Sequence, residues 1–158
     1  MSIATPPLQS GVLSRVGLPN PLPLLRRAEA CFERTGEYDP DARLPQQARR
    51  ITAACMGVWR VRDLTDDAVL LVSELVTNAF QHGAGTTVQV RLYLTERYVC
   101  IEVRSGYVDG VEVKGAADVD ESGRGLHLVS RIADDWSVTS DHAGLWCTLP
   151  IVSVGDPR

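Results

Sequence analysis

The sequence predicts an α+β domain: a two-layer sandwich of a mixed, mostly antiparallel sheet with helices on one face. Long segments in the first half of the chain carry apolar residues at helical spacing, whereas later segments alternate apolar and polar residues with a period of two. The alternating segments are joined by short connections, which favours antiparallel hairpins over the parallel strands of a doubly wound sheet. We therefore expect helices grouped against consecutive antiparallel strands.

Size and charge limit the classes of protein. At 158 residues, 44% hydrophobic and 23% charged, the chain is long enough to bury one core without disulfides or metals. Sixteen Lys and Arg against twenty Asp and Glu give a net charge of -4, which opposes direct binding to nucleic acid. The four scattered cysteines form no C-x-x-C pair, so we expect small buried hydrophobes. Without a secretory signal or a long apolar run, we expect a cytoplasmic protein with no membrane contact.

The first part of the chain is expected to be an arm. Residues 1–27 are rich in proline, which disfavours regular structure, and predict a Pro-rich arm that is either flexible or docked. The main domain is expected over residues 28–152, followed by a short tail at 153–158. Within "RRAEACFERTG", apolar residues alternate with Glu29, Cys31 and Glu33, which predicts a strand with a helix as the alternative.

Two helices are predicted next. "YDPDARLPQQARRITAACMGVWRV" has Pro45 placed for a first helical turn. "LTDDAVLLVSELVTNAFQHG" forms the second helix, with Thr65 as N-cap and Gly83 at its end. On a helical wheel the polar side of this second helix carries Glu74, Asn78 and Gln81, with His82 at its edge. The opposite side is apolar: Val69, Val72, Leu75, Val76, Ala79 and Phe80.

The rest of the chain predicts two hairpins separated by a loop and a helix. "TTVQVRLYLT" and "YVCIEVRS" form a hairpin that turns at Thr95 to Arg97. Residues 106–122 form a Gly- and Asp-rich loop of the length of a functional lid. "GRGLHLVSRIADDW" is predicted as a helix, and "WSVTSDHAGLWCTLPIV" as a closing hairpin that turns near Asp141 to Gly144.

Two patterns are candidates for chemistry. Glu74 and Asn78 lie one helical turn apart, an arrangement that also fits an ordinary solvent-exposed face. Gly123 and Gly125 bracket Arg124 where a helix begins, so free backbone amides, the helix dipole and a guanidinium meet at a potential phosphate site. A glycine-rich turn before a packed helix is the structural alternative.

Together the two patterns resemble a known family. "ELVTNAFQHG" resembles the N box, and "GRGLHLV" the second glycine box, of the GHKL ATPase superfamily, which includes gyrase, histidine kinases and MutL. The chain most resembles the single-domain bacterial anti-sigma-factor serine/threonine kinases, also called switch-protein kinases. The resemblance runs from about Asp39 to Pro150. It implies the Bergerat, histidine-kinase-like ATPase fold, with ATP and Mg²⁺ as ligands.

The resemblance also implies roles for individual residues. Glu74 matches the general base that takes the proton of a partner's hydroxyl group during phosphoryl transfer. Asn78 matches the asparagine that holds Mg²⁺, a cation that prefers oxygen ligands. His82 matches a histidine near the phosphates, although a favourable position at a helix C-terminus is an equally good reason for it. The implied phosphate-facing residues at the lid are Gly123, Arg124, Gly125 and Leu126.

One position departs from the family pattern. Where the family has an aspartate that accepts a hydrogen bond from the adenine amino group, "EVRSGYVDG" places Ser105, followed by Gly106. A neutral hydroxyl in place of a carboxylate is expected to cost about 1 to 2 kcal/mol, on the order of tenfold in affinity. Asp109 is a possible substitute if the loop is shifted.

The function expected from the resemblance is that of an ATP-dependent serine/threonine kinase that regulates transcription. Its partners would be an anti-sigma-factor antagonist of the STAS fold, a sigma factor, or both, and a homodimer is possible. The alternative, favoured by Ser105, is a nucleotide-degenerate module that sequesters its partner without catalysis. The catalytic half of a sensor histidine kinase fits less well, because no histidine and no heptad repeat precede Asp39.

Overall fold

The computed structural model describes residues 12–33, 43–82, 85–106 and 121–152. For residues 12, 43, 44, 82 and 121–125 it describes only the backbone. Among the described helices, none is long and apolar enough to cross a membrane.

Five strands form one sheet in the order β1-β2-β3-β5-β4, and each described pair of neighbouring strands is antiparallel. The strands are β1 Arg26–Glu33, β2 Thr87–Leu94, β3 Tyr98–Arg104, β4 Asp135–Val138 and β5 Gly144–Pro150. Both predicted hairpins are present, as β2 with β3 and β4 with β5. The strand predicted for "RRAEACFERTG" is also correct, since β1 buries Ala28 and Phe32 and exposes Glu29, Cys31 and Glu33.

Three long helices cover one face of this sheet. They are α2 Arg43–Val58, α3 Thr65–His82 and α4 Glu121–Ile132. The central helix, α3, packs on α2 and α4 and lies against β2, β3 and β5. The predicted α+β sandwich, with helices on one face of a mostly antiparallel sheet, is therefore confirmed.

The N-terminal segment contributes a short helix on the other face of the sheet. Helix α1, Val12–Val16, interrupts the proline-rich stretch, so the expectation that its prolines leave no regular structure is wrong there. Buried apolar residues of this segment pack together with side chains from β2, β3 and β5 in a second core cluster. The members of that cluster are Leu13, Val16, Leu18, Leu24, Tyr93, Cys100 and Trp146. From here on, the term arm means residues 12–24 only, which are the part of the predicted segment 1–27 that packs on this face.

Helix α3 starts differently from the sequence expectation. Thr65 has φ -58° and ψ -49°, which are helical angles, whereas an N-cap residue has non-helical angles. A 3₁₀ turn at Arg62–Leu64 leads directly into α3, so the prediction of Thr65 as N-cap is wrong. The buried side of α3 is also rotated, because Ala68 and Leu71 are fully buried while Val69 and Phe80 are half-buried.

The turn of the β2–β3 hairpin is stabilised by one buried threonine. The Thr95 hydroxyl accepts hydrogen bonds from the backbone N–H groups of Arg97, at 3.3 Å, and Tyr98, at 3.1 Å. The same hydroxyl donates to the Tyr98 carbonyl at 3.0 Å. Since only one proton is available, these contacts satisfy both the donor and the acceptor capacity of the hydroxyl.

Three of the four cysteines behave as the sequence predicts. Cys55, Cys100 and Cys147 are buried free thiols, and burial raises the pKa of Cys147 to about 12. The prediction is wrong for Cys31, which is exposed on the edge strand β1.

Candidate functional site

The carboxylate and amide singled out in the sequence lie on the same side of α3. Glu74 and Asn78 are separated by four residues, so their side chains project from successive turns of one helix face. Both are half-buried, unlike Asp66 and Asp67 in the first turn, which are exposed. This polar side is therefore more enclosed than a fully solvent-exposed helix face.

The core determines which way α3 presents these groups. Leu71, Leu75 and Ala79 are buried in the main core cluster. With this side fixed, the intervening Glu74 and Asn78 are placed at the border of the buried surface. Two of their neighbours, Ser73 and Thr77, are half-buried as well, so the polar stripe extends across the middle of the helix.

The position predicted to contact adenine lies at the end of β3. Ser105 is only 3% exposed. Its N–H donates to the carbonyl of Ala143 at 3.0 Å, and its own carbonyl accepts from the N–H of Gly85 at 2.8 Å. With the N–H and one lone pair of the carbonyl engaged, the hydroxyl is the main group that Ser105 offers to a ligand. Gly106 follows with φ +84°, a conformation that favours glycine.

Gly85 is a positioning residue that the sequence prediction missed. A Cβ atom at this position would lie 2.9 Å from the carbonyl oxygen of Ser105 and 3.2 Å from the nitrogen of Gly106. Such distances require the backbone to move, so glycine is needed for this close approach. The signal in the sequence is a glycine directly before the β2–β3 hairpin, and its link to the end of β3 depends on the folded structure.

The glycine-rich element forms the beginning of α4. Helix α4 starts at Glu121, so Gly123 and Gly125 lie within its first turns, and the predicted loop ends two residues earlier than expected. The side chain of Arg124 lies outside the described residues. Leu126 is half-buried and packs against the main core cluster, a contact that positions α4. Its predicted nucleotide contact stays a prediction.

Two further predicted positions fall wholly or partly outside the described residues. His82 is the last residue of α3, and only its backbone is described. Most of the predicted lid, including Asp109, also lies outside.

The side chains at the site fit a nucleotide with Mg²⁺ better than a metal held by the protein alone. In the described part of the chain, no group of three or more His, Cys, Asp or Glu is arranged to hold a metal ion. The amide oxygen of Asn78 is a single hard ligand of the kind Mg²⁺ accepts when its other ligands are water and phosphate. Glu74 lies one turn away and is half-buried, and its role as general base stays a prediction.

Comparison with known proteins agrees with the fold. A family model described as "Histidine kinase-like ATPase domain" matches residues 38–150, most of the chain. The matched range contains α2, α3, α4 and the strands β2 to β5. Among curated proteins the chain has no match.

Proposed function

The chain belongs to the histidine kinase-like ATPase domain family, and on this basis we propose that it is an ATP-binding regulatory protein of the anti-sigma-factor serine/threonine kinase type. Its proposed partners are an anti-sigma-factor antagonist of the STAS fold, a sigma factor, or both. The main support is the half-buried position of Glu74 and Asn78 on one side of α3, next to the helix that carries the glycine-rich first turns.

In the proposed reaction, the chain mainly orients groups and manages charge, as is usual in phosphoryl transfer. Glu74 takes the proton from a serine or threonine hydroxyl of the partner. The hydroxyl oxygen bonds to the γ-phosphorus, the bond from that phosphorus to the β–γ bridging oxygen breaks, and ADP leaves. Asn78 holds Mg²⁺, which offsets negative charge on the phosphates. The first turn of α4, which includes Gly123, would offer its free backbone amides to phosphate oxygens.

Phosphorylation of the antagonist would regulate its binding. A phosphoserine or phosphothreonine adds about −1.5 to −2 charge at neutral pH, which a packed interface does not accommodate. The modified antagonist would therefore dissociate from its complex.

Nucleotide titration is the first test. We expect calorimetry to show one site for ATP that requires Mg²⁺ for full affinity, and Asn78→Ala to weaken Mg-ATP binding by roughly tenfold or more. The matched control is Gln89→Ala, which truncates an amide on β2 away from α3 and should leave affinity unchanged. Absence of ATP and ADP binding to the wild-type protein would remove the proposal.

Ser105 gives a sharper test, because the proposed adenine contact can be strengthened. Ser105→Asp introduces a carboxylate, which accepts a stronger hydrogen bond from the adenine amino group. We expect roughly tenfold tighter ATP binding with no gain for GTP, which lacks that amino group at the same ring position. The variant should also be less stable without nucleotide, since the new carboxylate is buried. An equal gain for both nucleotides would show that Ser105 does not face adenine.

Catalysis is tested with purified protein, Mg-ATP and STAS-fold antagonists from the same genome. Mass spectrometry should find phosphate on a serine or threonine of one antagonist with the wild type, and none with Glu74→Ala. Glu96→Ala, at an exposed glutamate of the β2–β3 turn, is the control and should keep activity.

A non-catalytic module that sequesters its partner is the second candidate. It is favoured by Ser105, which is buried and neutral at the position where the family has an aspartate. The two candidates differ in their dependence on Glu74. If Glu74→Ala leaves regulation of transcription in cells intact, sequestration is sufficient and catalysis is dispensable.

A further inference from the structure

A cavity of about 330 Å³ lies on the arm side of the sheet, away from Glu74 and Asn78. This volume is at the lower end of the range of small-molecule sites. The side chains around it come from the arm, three neighbouring strands and the β4–β5 turn. The lining residues with charged groups are Arg15, Arg27, Glu29, Arg91, Glu102, Arg104 and Asp141.

The floor of the cavity is built around a buried carboxylate. Glu102 is 1% exposed, and its Oε1 accepts a hydrogen bond from the Tyr93 hydroxyl at 3.0 Å. Arg104 donates to its Oε2 at 3.2 Å, and an Arg91 nitrogen lies 3.6 Å from Oε1. An unpaired buried carboxylate would be costly, and these partners satisfy Glu102 and hold its side chain in place. The floor is therefore rigid and already occupied by its own counter-charges.

The two inner arginines also have partners at the rim. Arg91 pairs with Glu29 at 3.3 Å, and Arg104 pairs with Asp141. Three carboxylates and two guanidinium groups thus form one continuous network. None of the ion pairs in the described part of the chain involves Arg15 or Arg27, which line the same cavity.

Counting all charged residues around the cavity gives four arginines and three carboxylates, a formal charge of +1. The excess positive charge comes from Arg15 and Arg27, the two lining arginines that are outside the ion pairs of the described residues. An added anion there would neutralise the cavity without competing for the inner network. Guanidinium groups suit oxyanions in particular, because their N–H groups match two oxygens of a carboxylate or phosphate.

We propose that this cavity is a binding site for a small oxyanion, a carboxylate or phosphate compound, held by Arg15 of the arm and Arg27 of β1. The site is separate from the proposed nucleotide site and does not depend on it. The floor residues Arg91 and Tyr93 border the ligand and set the depth of the cavity.

The arm is a structural part of this site. Its helix α1 is held by Ser140 of the β4–β5 turn, whose hydroxyl donates to the Arg15 carbonyl at 2.5 Å and whose N–H donates to the Val16 carbonyl at 3.1 Å. A Cβ at Gly17, which has φ +96°, would lie 3.3 Å from Ser140, so the arm passes close to this turn. A ligand between Arg15 and Arg27 bridges the arm and the sheet, and its binding stabilises the docked arm.

NMR titration of the full-length protein tests the site. Inorganic phosphate is added in one experiment and succinate in a second, both at low and constant ionic strength. We expect at least one of the two to bind at one saturable site, with shift changes at Tyr93 and Glu102. Arg27→Gln and Arg15→Gln should each weaken binding roughly tenfold or more. Arg26→Gln is the matched control, since it removes the same charge from the neighbouring position of β1, on the other side of the strand, and should bind normally.

The outcomes separate the possibilities. Saturation by succinate alone identifies a carboxylate ligand, and saturation by phosphate alone a phosphate ligand. Failure of both anions to saturate, or an equal loss in Arg26→Gln, would overturn the proposal. Shift changes confined to Asn78 and Ser105 would also overturn it, because they would place the anion at the nucleotide site.

A second readout does not depend on the stability of the variants. With wild-type protein, the anion that binds should slow tryptic cleavage after Arg15, because it holds the arm on the sheet. Unchanged cleavage at saturating anion would show that the arm takes no part in binding.

Discussion

The two faces of the sheet are made by alternating residues of the same strands, yet they differ in chemistry. Toward α2, α3 and α4 the strands present apolar side chains such as Val90, Ile101 and Cys147. Toward the arm they present Arg91, Glu102 and other polar groups among the apolar residues of the second cluster. Period-two alternation therefore does not imply one buried and one solvated face, since Glu102 on the polar face is also buried.

The difference has an energetic consequence. The helix face is covered by three long helices with apolar contacts, whereas the arm face is covered by a short segment over an ion network. Of the buried side-chain nitrogens and oxygens in the described residues, the indole nitrogen of Trp146 on the arm face has no hydrogen-bond partner. We therefore expect the arm face to be the less stable of the two and to open first.

The two faces meet at the β4–β5 turn. Arg104 pairs with Asp141 at the rim of the cavity, and the next residue, Ser105, donates its N–H to Ala143. One turn thus contacts both the cavity and the predicted adenine position.

The largest effect is expected from the helix face. Leu71→Ala removes a fully buried side chain of α3 and should lower the free energy of unfolding by about 3 to 5 kcal/mol. Leu13→Ala in the arm should cost less, about 1 to 2 kcal/mol, because the short arm can shift to fill the space. Urea unfolding measures both values, and equal losses would contradict the difference between the faces.

Hydrogen exchange sharpens this comparison. In Leu13→Ala, faster exchange should be restricted to arm amides and to the Ser140 N–H, which bonds the Val16 carbonyl. Faster exchange throughout α3 in that variant would show that the two faces unfold as one unit.

Substitution by alanine should change stability in opposite directions at Gly144 in β5 and at Gly57 in α2. A Cβ at Gly144 would lie 2.3 Å from the Val103 carbonyl oxygen, so Gly144→Ala forces β5 away from β3 and should cost about 2 to 4 kcal/mol. Gly57 in α2 has open space, with the nearest side-chain atom, of Arg62, at 3.9 Å. Gly57→Ala should stabilise the protein by about 0.5 kcal/mol. Thermal unfolding of the pair measures both changes, and a neutral Gly144→Ala would mean that the strands can separate freely.

In the ion network of the arm face, removing the central charge of Glu102 should destabilise the protein more than removing the charge of Glu29 at the rim. Glu102→Gln removes the buried charge between Arg91 and Arg104 and should cost about 2 kcal/mol, less than a fully buried pair because both arginines keep rim partners. Glu29→Gln, with a half-exposed carboxylate, should cost less than about 1 kcal/mol.

Titration of the Tyr93 hydroxyl gives a second measure of the effect of Glu102→Gln. Burial, together with the nearby Glu102 carboxylate, raises the pKa of the Tyr93 hydroxyl. In Glu102→Gln this pKa should fall and yet stay above the usual range, because the burial remains. An unchanged ultraviolet titration would show that the Glu102 carboxylate does not raise the pKa of the Tyr93 hydroxyl.

The sequence predicted the fold and the helix face well because those rest on local periodicity. Alternation predicted each strand, and helical spacing predicted α2, α3 and α4. The Glu74 and Asn78 pair was visible because both residues lie on one helix, at a spacing that fixes their relation.

The arm face was not predictable in the same way. Glu102, Arg91 and Asp141 come from three separate segments, and only the strand register brings them together. The prediction of Thr65 as the N-cap of α3 was wrong for a related reason. Thr65 is a residue type that favours the N-cap, but in the folded chain the preceding 3₁₀ turn continues directly into the helix. Gly85 was missed because the group that it approaches, Ser105, is remote in sequence.

The smallest effect is expected at the turn shared by the two faces. The hydrogen bond from Arg104 holds the pKa of the Asp141 carboxyl well below its usual range, with further help from Thr139 and the N–H of Ala143. A lowered pKa in the folded state means that the carboxylate stabilises the protein above about pH 5, and that this contribution declines as the pH falls below about 4. Asp141→Asn should therefore lower the free energy of unfolding at pH 7 by less than about 1 kcal/mol, because the side chain is 51% exposed. The variant should also lose less stability than the wild type as the pH falls below about 4. Asp135→Asn, at an exposed aspartate on β4, is the control and should leave stability at pH 7 unchanged. If Asp141→Asn also changes ATP affinity, the turn transmits changes from the cavity to Ser105, and the two faces are coupled.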